Sequence, residues 1–218
     1  MLKEHVIAVV IPALNEEAQI GRVIEALPDF VDRVVVVDDG SSDQTAAVAR
    51  EKGAHTVSHV RNKGVGAAFN TGVRTVLTME ADIMVNIDAD GQFNPGDIIK
   101  LVEPIIGGQA EFVTASRFIS KAHRPAMPRV KYWGNQFMSR FISRLTRQRF
   151  YDVSCGFRAY SRETLQRLNL FGDFTYTQET FIDLAFKDIG ILEVPVHVKG
   201  KREHGKSLVA SKIGRAHV

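Results

Sequence analysis

The sequence predicts an α/β protein built on a mostly parallel sheet with helices on both faces. Two observations carry this expectation. The apolar runs in "HVIAVVIPAL" and "RVVVVDD" are nearly continuous, as in strands buried on both faces, and do not alternate with polar residues. Strand patterns and helix patterns then take turns along the first half of the chain, which favours parallel pairing through helical crossovers. No linker, internal repeat or low-complexity segment interrupts the pattern, so a single domain is expected.

Each element has its own signal. After the first strand, Asn15 is placed to cap a helix through "EEAQIGRVIEAL", with Glu16 and Glu17 in the first turn, where the helix dipole favours acids. "RVVVVDD" is the second strand, and "GSSDQT" a turn leading into the helix "TAAVAREKG", which stops at Gly53. "HTVSHV" is a short third strand. "NKGVGAAFNTGVRTVL" reads as a glycine loop entering a helix, "DIMVNIDAD" as the next strand and "EFVTASR" as another. Beyond Arg117 the rhythm changes. "KAHRPAMPR" carries two prolines and predicts an irregular loop. "VKYWGNQFMSRFISRLTRQ" predicts an amphipathic helix, with Trp133, Phe137, Phe141 and Leu145 spaced by four on one stripe and Arg140, Arg144 and Arg147 on another. A strand at "GFRAYS", a helix at "QETFIDLAFKDIG" and a strand at "ILEVPVHV" complete the prediction.

Composition narrows the class. The 218 residues are 44% hydrophobic and 24% charged, which are values of a folded globule and exclude disorder. One cysteine, Cys155, excludes a disulfide framework and suits a reducing compartment. No signal peptide pattern opens the chain, and no apolar run reaches the roughly 18–20 residues that cross a bilayer. Net charge is only +3, but it is unevenly spread. From Phe112 to Tyr151 there is no Asp or Glu, while Arg117, Lys121, Arg124, Arg129, Lys131, Arg140, Arg144, Arg147 and Arg149 fall inside. Such a stretch implies an anionic partner: phosphate, nucleic acid or an acidic lipid surface.

The chemistry is expected outside the carboxyl ends of the strands, where open parallel sheets bind ligands. "PALNEE", "VDDGSSDQT", "NKGVGAA" and "DADGQ" all lie there. "GVGAA" lacks the third small residue of a dinucleotide fingerprint, since Phe69 stands there, yet it can bring backbone amides close to a phosphate. Asp88 and Asp90 end an apolar strand as two like charges that must repel. A hard divalent cation relieves that repulsion: Mg²⁺ takes one or two carboxylates and fills its remaining positions with phosphate oxygens and water. Asp88 and Asp90, with the carbonyl of Gln92 nearby, supply such a half-site. Two solvated aspartates in a turn are the competing reading. Cys155 has no neighbouring base in the sequence and is expected to be a packing residue.

Taken in order, "VIPALNEE", "VVVVDDGSSDQT", "NKGVGAAFNTG", "NIDADGQFNP", "ASRF", "YDVSCGFRAYSRE", "QETF" and "REHGKS" resemble the family-2 glycosyltransferases of the GT-A, Rossmann-like fold. Within that family they resemble the polyprenyl-phosphate sugar transferases, such as dolichyl-phosphate mannose synthase, from about Val6 to about Val209. The resemblance implies that Pro12, Asn15 and Glu16 line a nucleoside pocket, with Asp38 or Asp39 accepting from the base and Lys63 and Gly64 near the nucleotide. It implies that Asp88, Asp90 and Gln92 hold Mg²⁺ or Mn²⁺ against the diphosphate of a nucleotide sugar, and that Arg117 contacts phosphate. Arg202, Lys206 and Ser207 match a motif that closes over the acceptor phosphate. Either Arg129 or Lys131 matches the family's basic residue before the amphipathic helix.

The implied activity is inverting, metal-dependent transfer of a hexose from a GDP- or UDP-sugar to polyprenyl phosphate, at the cytoplasmic face of a membrane. An already ionised lipid phosphate needs placement by arginines more than it needs a base. A saccharide hydroxyl, the alternative acceptor, needs a general base, for which Glu179 is the candidate. A nucleic-acid-binding protein is a third reading, but no standard binding motif accompanies the arginines and "DADGQ" would be left unexplained. The helix over 130–148 is expected to lie at a lipid interface, against the alternative that its aromatics pack on the sheet. The closing "IGRAHV" matches one frame of a widely used DNA sequencing adapter. The catalytic domain is therefore expected over residues 1–211, with 212–218 foreign to it and the natural chain continuing.

Overall fold

The computed structural model describes residues 2–170 and 176–199. In chain order it contains β1 (Ile7–Ala13), α1 (Glu17–Glu25), β2 (Arg33–Asp38), α2 (Thr45–Glu51), β3 (His55–Ser58), α3 (Val65–Thr78) and β4 (Ile83–Asn86). There follow α4 (Ile98–Ile106), β5 (Phe112–Ser116), α5 (Arg129–Thr146), β6 (Arg158–Ser161), α6 (Arg162–Arg167), α7 (Tyr176–Phe186) and β7 (Ile191–Pro195). The described strands form one seven-stranded sheet in the order β3-β2-β1-β4-β6-β5-β7. All neighbours pair in parallel except β6, which runs antiparallel to both β4 and β5. Strand order reverses between β1 and β4, and the crevice at such a switch point is where ligands bind.

Alternation along each strand divides the core into two layers. Ile7, Val9 and Ile11 of β1 pack in one layer with Ile20 and Val23 of α1 and Leu101 and Val102 of α4. Ala8 and Val10 face the other way, into a layer with Phe69 and Val73 of α3 and Phe181 and Leu184 of α7. Because both faces are covered, Val35, Val36 and Val37 of β2 are all fully buried, which explains the unbroken apolar runs in the sequence. The close approach of α3 depends on Gly72, where an added Cβ would stand 2.3 Å from Cγ1 of Val10.

The expected elements form, with three differences. Asn15 does not cap α1: it adopts a positive φ of 56°, and its Oδ1 accepts from the backbone N of Ser42 at 2.8 Å. The N-cap position is Glu16, which makes no side-chain capping bond. Donors at the start of α1 are met from the next loop instead, Glu16 N by Thr45 Oγ1 at 2.8 Å and Glu17 N by Asp43 Oδ2 at 3.2 Å. Second, β4 ends at Asn86, so Asp88 and Asp90 lie in the loop beyond it. Third, α4 and α6 lie outside the expected set; Pro104 sits within α4 and disguises its helical pattern. The aromatics of α5 do not pack on the sheet, so the alternative reading of that helix is the one that fails. Its inner face is Ser139 and Ile142, and Trp133, Phe137 and Phe141 are 62%, 69% and 55% exposed.

Gly72→Ala should destabilise the protein by about 2 kcal/mol, because overpacking against Val10 outweighs the gain in helix propensity. Urea denaturation measures it, and an unchanged or raised midpoint would show that α3 can move away from β1 at no cost.

Candidate active site

β1, β2 and β3 pair to their carboxyl ends, and the loops beyond those ends are joined by side-chain hydrogen bonds. Asp38 and Asp39 are both buried where β2 ends. Asp38 accepts from Ser41 N at 3.0 Å and so shapes the turn that Asn15 holds from the other side. Asp39 collects three donors: Lys63 N at 2.9 Å, Gly64 N at 2.8 Å and the Nδ1 position of His59 at 2.7 Å. His59 in turn meets Thr71 Oγ1 of α3 through Nε2 at 2.9 Å. Asp39 thereby fixes the entry to α3, and of the two aspartates Asp38 has the fewer donors from the protein. Gly40, at φ +76°, is needed beside them: a Cβ there would stand 2.7 Å from the backbone of Arg61 and Asn62. Burial alone would raise the Asp43 pKa, but hydrogen bonds from Thr45 and the Glu17 amide outweigh it and hold the carboxyl below its usual range. Pro12 is half-buried at the end of β1, and Lys63 is exposed.

Across the crevice, the loop after β4 carries Asp88 and Asp90, both half-buried. Asp90 Oδ1 accepts from Gln92 N at 3.0 Å. Gln92 is tied to the segment after β7: its side-chain amide donates to the Lys199 carbonyl, and its own carbonyl accepts from Lys199 N, each at 3.0 Å. Asp88 is backed by Gly156, where an added Cβ would lie 3.0 Å from Oδ1 and 3.2 Å from Oδ2. The Gly156 carbonyl is held from β4 by Asn86 Nδ2 at 2.8 Å. Among the described residues no group of three or more His, Cys, Asp and Glu side chains could hold a metal ion. Among these residues the offer is the Asp88 and Asp90 pair. That set fits Mg²⁺ or Mn²⁺, which complete their shells with phosphate oxygens and water.

Arg117 follows β5 and is committed within the protein. Its Nε donates to Asp152 Oδ2 at 2.6 Å, its Nη2 to Oδ1 at 2.8 Å, and its backbone N to Oδ2 at 3.1 Å. Burial would lower the Arg117 pKa, but the hydrogen bonds and charge of Asp152, with Asp88 adding to them, raise it, so the cation is permanent. A phosphate contact by Arg117 has to share the guanidinium with this fully buried carboxylate. Glu193 of β7 accepts the amides of Tyr151 and Asp152, each at 2.8 Å, yet burial outweighs them and pushes its pKa up. Burial also pushes the Cys155 thiol up to about 12, so it stays protonated at neutral pH and is no nucleophile. Glu179 lies in the first turn of α7. Tyr176, which opens that helix, is buried, and burial followed by the charge of Asp88 pushes its phenol up. The start of α7 is thus in the electrostatic field of Asp88. Arg202, Lys206 and Ser207 lie outside the described residues.

The structure therefore gathers Pro12, Asn15, Glu16, Asp38, Asp39, Lys63 and Gly64 on one side of the crevice and Asp88, Asp90 and Gln92 on the other. It adds four residues that sequence reasoning missed: His59, Asp152, Gly156 and Arg158. Asp152 had a signal, as the first acid after the acid-free stretch. Gly156 and Arg158 stand inside "YDVSCGFRAYSRE" but carry no signal of their own, and His59 has none, because Asp88, Thr177, Asp39 and Thr71 are partners distant in the chain.

Known proteins resemble this chain in sequence and in fold. The model of Glycosyl transferase family 2 matches residues 8–168. A UDP-N-acetylglucosamine–dolichyl-phosphate N-acetylglucosaminyltransferase of Methanococcus voltae is 33% identical over 186 residues, 77% of this chain and 74% of that protein. A polyprenol monophosphomannose synthase of Mycolicibacterium smegmatis is 29% identical, over 86% of this chain and 75% of that one. Glucosyl-3-phosphoglycerate synthase from Mycobacterium tuberculosis, solved with Mn²⁺, UDP and glucosyl-3-phosphoglycerate, superposes with a TM-score of 0.73 at 27% identity. That match covers 97% of this chain and 75% of that chain.

Gly156→Ala should weaken Mn²⁺ binding in the presence of UDP by roughly tenfold, because the new methyl displaces Asp88 by a few tenths of an ångström while leaving its charge. Titration followed by electron paramagnetic resonance of Mn²⁺ reads it; unchanged affinity would show that Asp88 tolerates the shift or does not meet the ion.

Proposed function

Because the chain belongs to glycosyl transferase family 2, we propose that it transfers a hexose from a nucleotide sugar to a polyprenyl phosphate, with inversion at the anomeric carbon. The nucleoside sits against Pro12, Asn15 and Glu16, with Asp38 as the acceptor for its base. Asp88 and Asp90 hold Mg²⁺ or Mn²⁺, which supplies positive charge to the diphosphate as it leaves. A phosphate oxygen of the acceptor forms the new bond to the anomeric carbon from the face opposite the breaking bond. The electron pair of that breaking bond departs with the nucleoside diphosphate. The acceptor oxygen is already ionised, so placement by Arg117 and the basic surface of α5 replaces general-base help.

The observation that carries the lipid acceptor is the outer face of α5. Val130, Trp133, Phe137 and Phe141 are 83%, 62%, 69% and 55% exposed on a helix whose other exposed side chains include Arg140 and Arg144, with Arg147 directly after it. A water-soluble acceptor gives no reason for such a stripe, whereas an acyl–headgroup boundary accepts the rings and attracts the arginines. No described helix is long and apolar enough to cross a membrane. The free thiol of Cys155 accords with a reducing compartment, so the cytoplasmic face is the proposed place of work. The names of the relatives that act on dolichyl phosphate or make polyprenol monophosphomannose support the same acceptor.

The test is a transfer assay crossing GDP- and UDP-sugars with undecaprenyl phosphate, dolichyl phosphate, 3-phosphoglycerate and free saccharides. Product on a polyprenyl phosphate is expected, lost with EDTA and in Asp88→Asn or Asp90→Asn, and kept in Glu179→Gln. Product only on a saccharide, lost in Glu179→Gln, would make Glu179 a general base and replace this reading. Full activity in EDTA would remove the metal.

Peripheral membrane binding has its own test. The protein should sediment with anionic liposomes at low salt, and Arg140, Arg144 and Arg147 changed together to Gln should lose about 3 kcal/mol, roughly a hundredfold in partitioning. Equal sedimentation of the triple variant would detach α5 from the lipid surface.

A further inference from the structure

Arg158, the first residue of β6, is fully buried. Among the described residues no carboxylate lies within ion-pair distance of it. Its partners are backbone carbonyls: Nε donates to Cys155 O at 2.6 Å, and Nη2 donates to Val153 O at 3.2 Å and Thr177 O at 2.9 Å. The guanidinium lies 5.1 Å from the ring centroid of Phe181 and 5.7 Å from that of Phe112. A buried cation is costly, and an apolar side chain of similar length would fill the same space at less cost. What arginine supplies here is a rigid planar fork able to grip several acceptors at once.

The gripped segments are the two that matter for the reaction. Residues 152–157 hold Arg117 through Asp152 and back Asp88 through Gly156. Thr177 lies in the first turn of α7, beside Tyr176 in the field of Asp88 and two residues before Glu179. Neither segment pairs with the other as a strand. We infer that Arg158 is a positioning residue, whose buried fork locks the 152–157 loop to the start of α7 and so sets Asp88 and Arg117 relative to the acceptor side of the site. Its kinetic consequence rests on the proposed transfer reaction, but its structural consequence does not.

The test compares the full chain with Arg158→Met and Arg158→Lys by hydrogen–deuterium exchange and by transfer kinetics. With the fork gone, amides at 152–157 and 176–179 should exchange about tenfold faster while those of β1 and β2 keep their rates. In both variants kcat should fall at least about tenfold, with KM for the donor changed by less than about threefold. Arg158→Lys keeps the charge but not the fork, and serves alone if Arg158→Met does not fold. Exchange that rises equally everywhere, with kcat per folded molecule unchanged, would reduce Arg158 to a core residue and overturn the inference. Full recovery of both readouts in Arg158→Lys would also overturn it, by making the charge rather than the fork the agent. A parent without transferase activity counts against the proposed function, and the exchange comparison then decides the role of Arg158 by itself.

Discussion

β6 runs antiparallel between β4 and β5, so its first residue lies opposite the last residue of β4, and the chain entering it must pass over the carboxyl edge of the sheet. The register pairs Arg158 with Asn86 on one side and Thr114 on the other, and all three are fully buried. From that fixed point the preceding residues reach back over the crevice. Gly156 then meets Asp88, and Asp152 meets Arg117. A parallel strand in the same place would send its leading loop to the opposite edge, and neither contact could form.

Three acids in this region each collect several hydrogen bonds. Asp152 takes three from Arg117, Asp39 takes three from Lys63, Gly64 and His59, and Glu193 takes two backbone amides. Groups satisfied in this way are expensive to disturb, because losing one donor leaves a desolvated charge behind. They form a stiff frame around Asp88 and Asp90, which stay half-buried at its open edge. Rigid surroundings with a pair of hard anions facing a crevice suit the binding of a metal–diphosphate unit, which tolerates little positional error.

α5 answers a different demand. Ser139 and Ile142 face inward, and the Ser139 and Ser143 hydroxyls tie the helix to the backbone around Phe150 and Tyr151. Arg124 stacks at 3.5 Å on the ring of Tyr132, bracing the proline loop against the first turn. The helix is thus anchored at its inner face while its aromatics stay outside. Packing on the sheet would have required the stripe at 133, 137 and 141 to coincide with the stripe at 139 and 142, and at 3.6 residues per turn these point in different directions.

How much of this was legible in the sequence follows the range of the forces involved. Two-sided burial of β1 and β2 is written in unbroken valine and isoleucine runs, and the helices α3 and α5 in their apolar periodicity, because these patterns are local. Asp88 and Asp90 were legible for the same reason: two acids ending an apolar strand are anomalous within their own neighbourhood. Asn15 was misread as a cap, since its residue type suits a helix start, but a partner on the next loop, Ser42, competes for the same oxygen. The direction of β6, the outward turn of Trp133, the Asp39–His59–Thr71 line and the grip of Arg158 were decided only by the tertiary structure. Each depends on which distant backbone or side chain comes to stand opposite, and a chain read one neighbourhood at a time holds no record of that pairing.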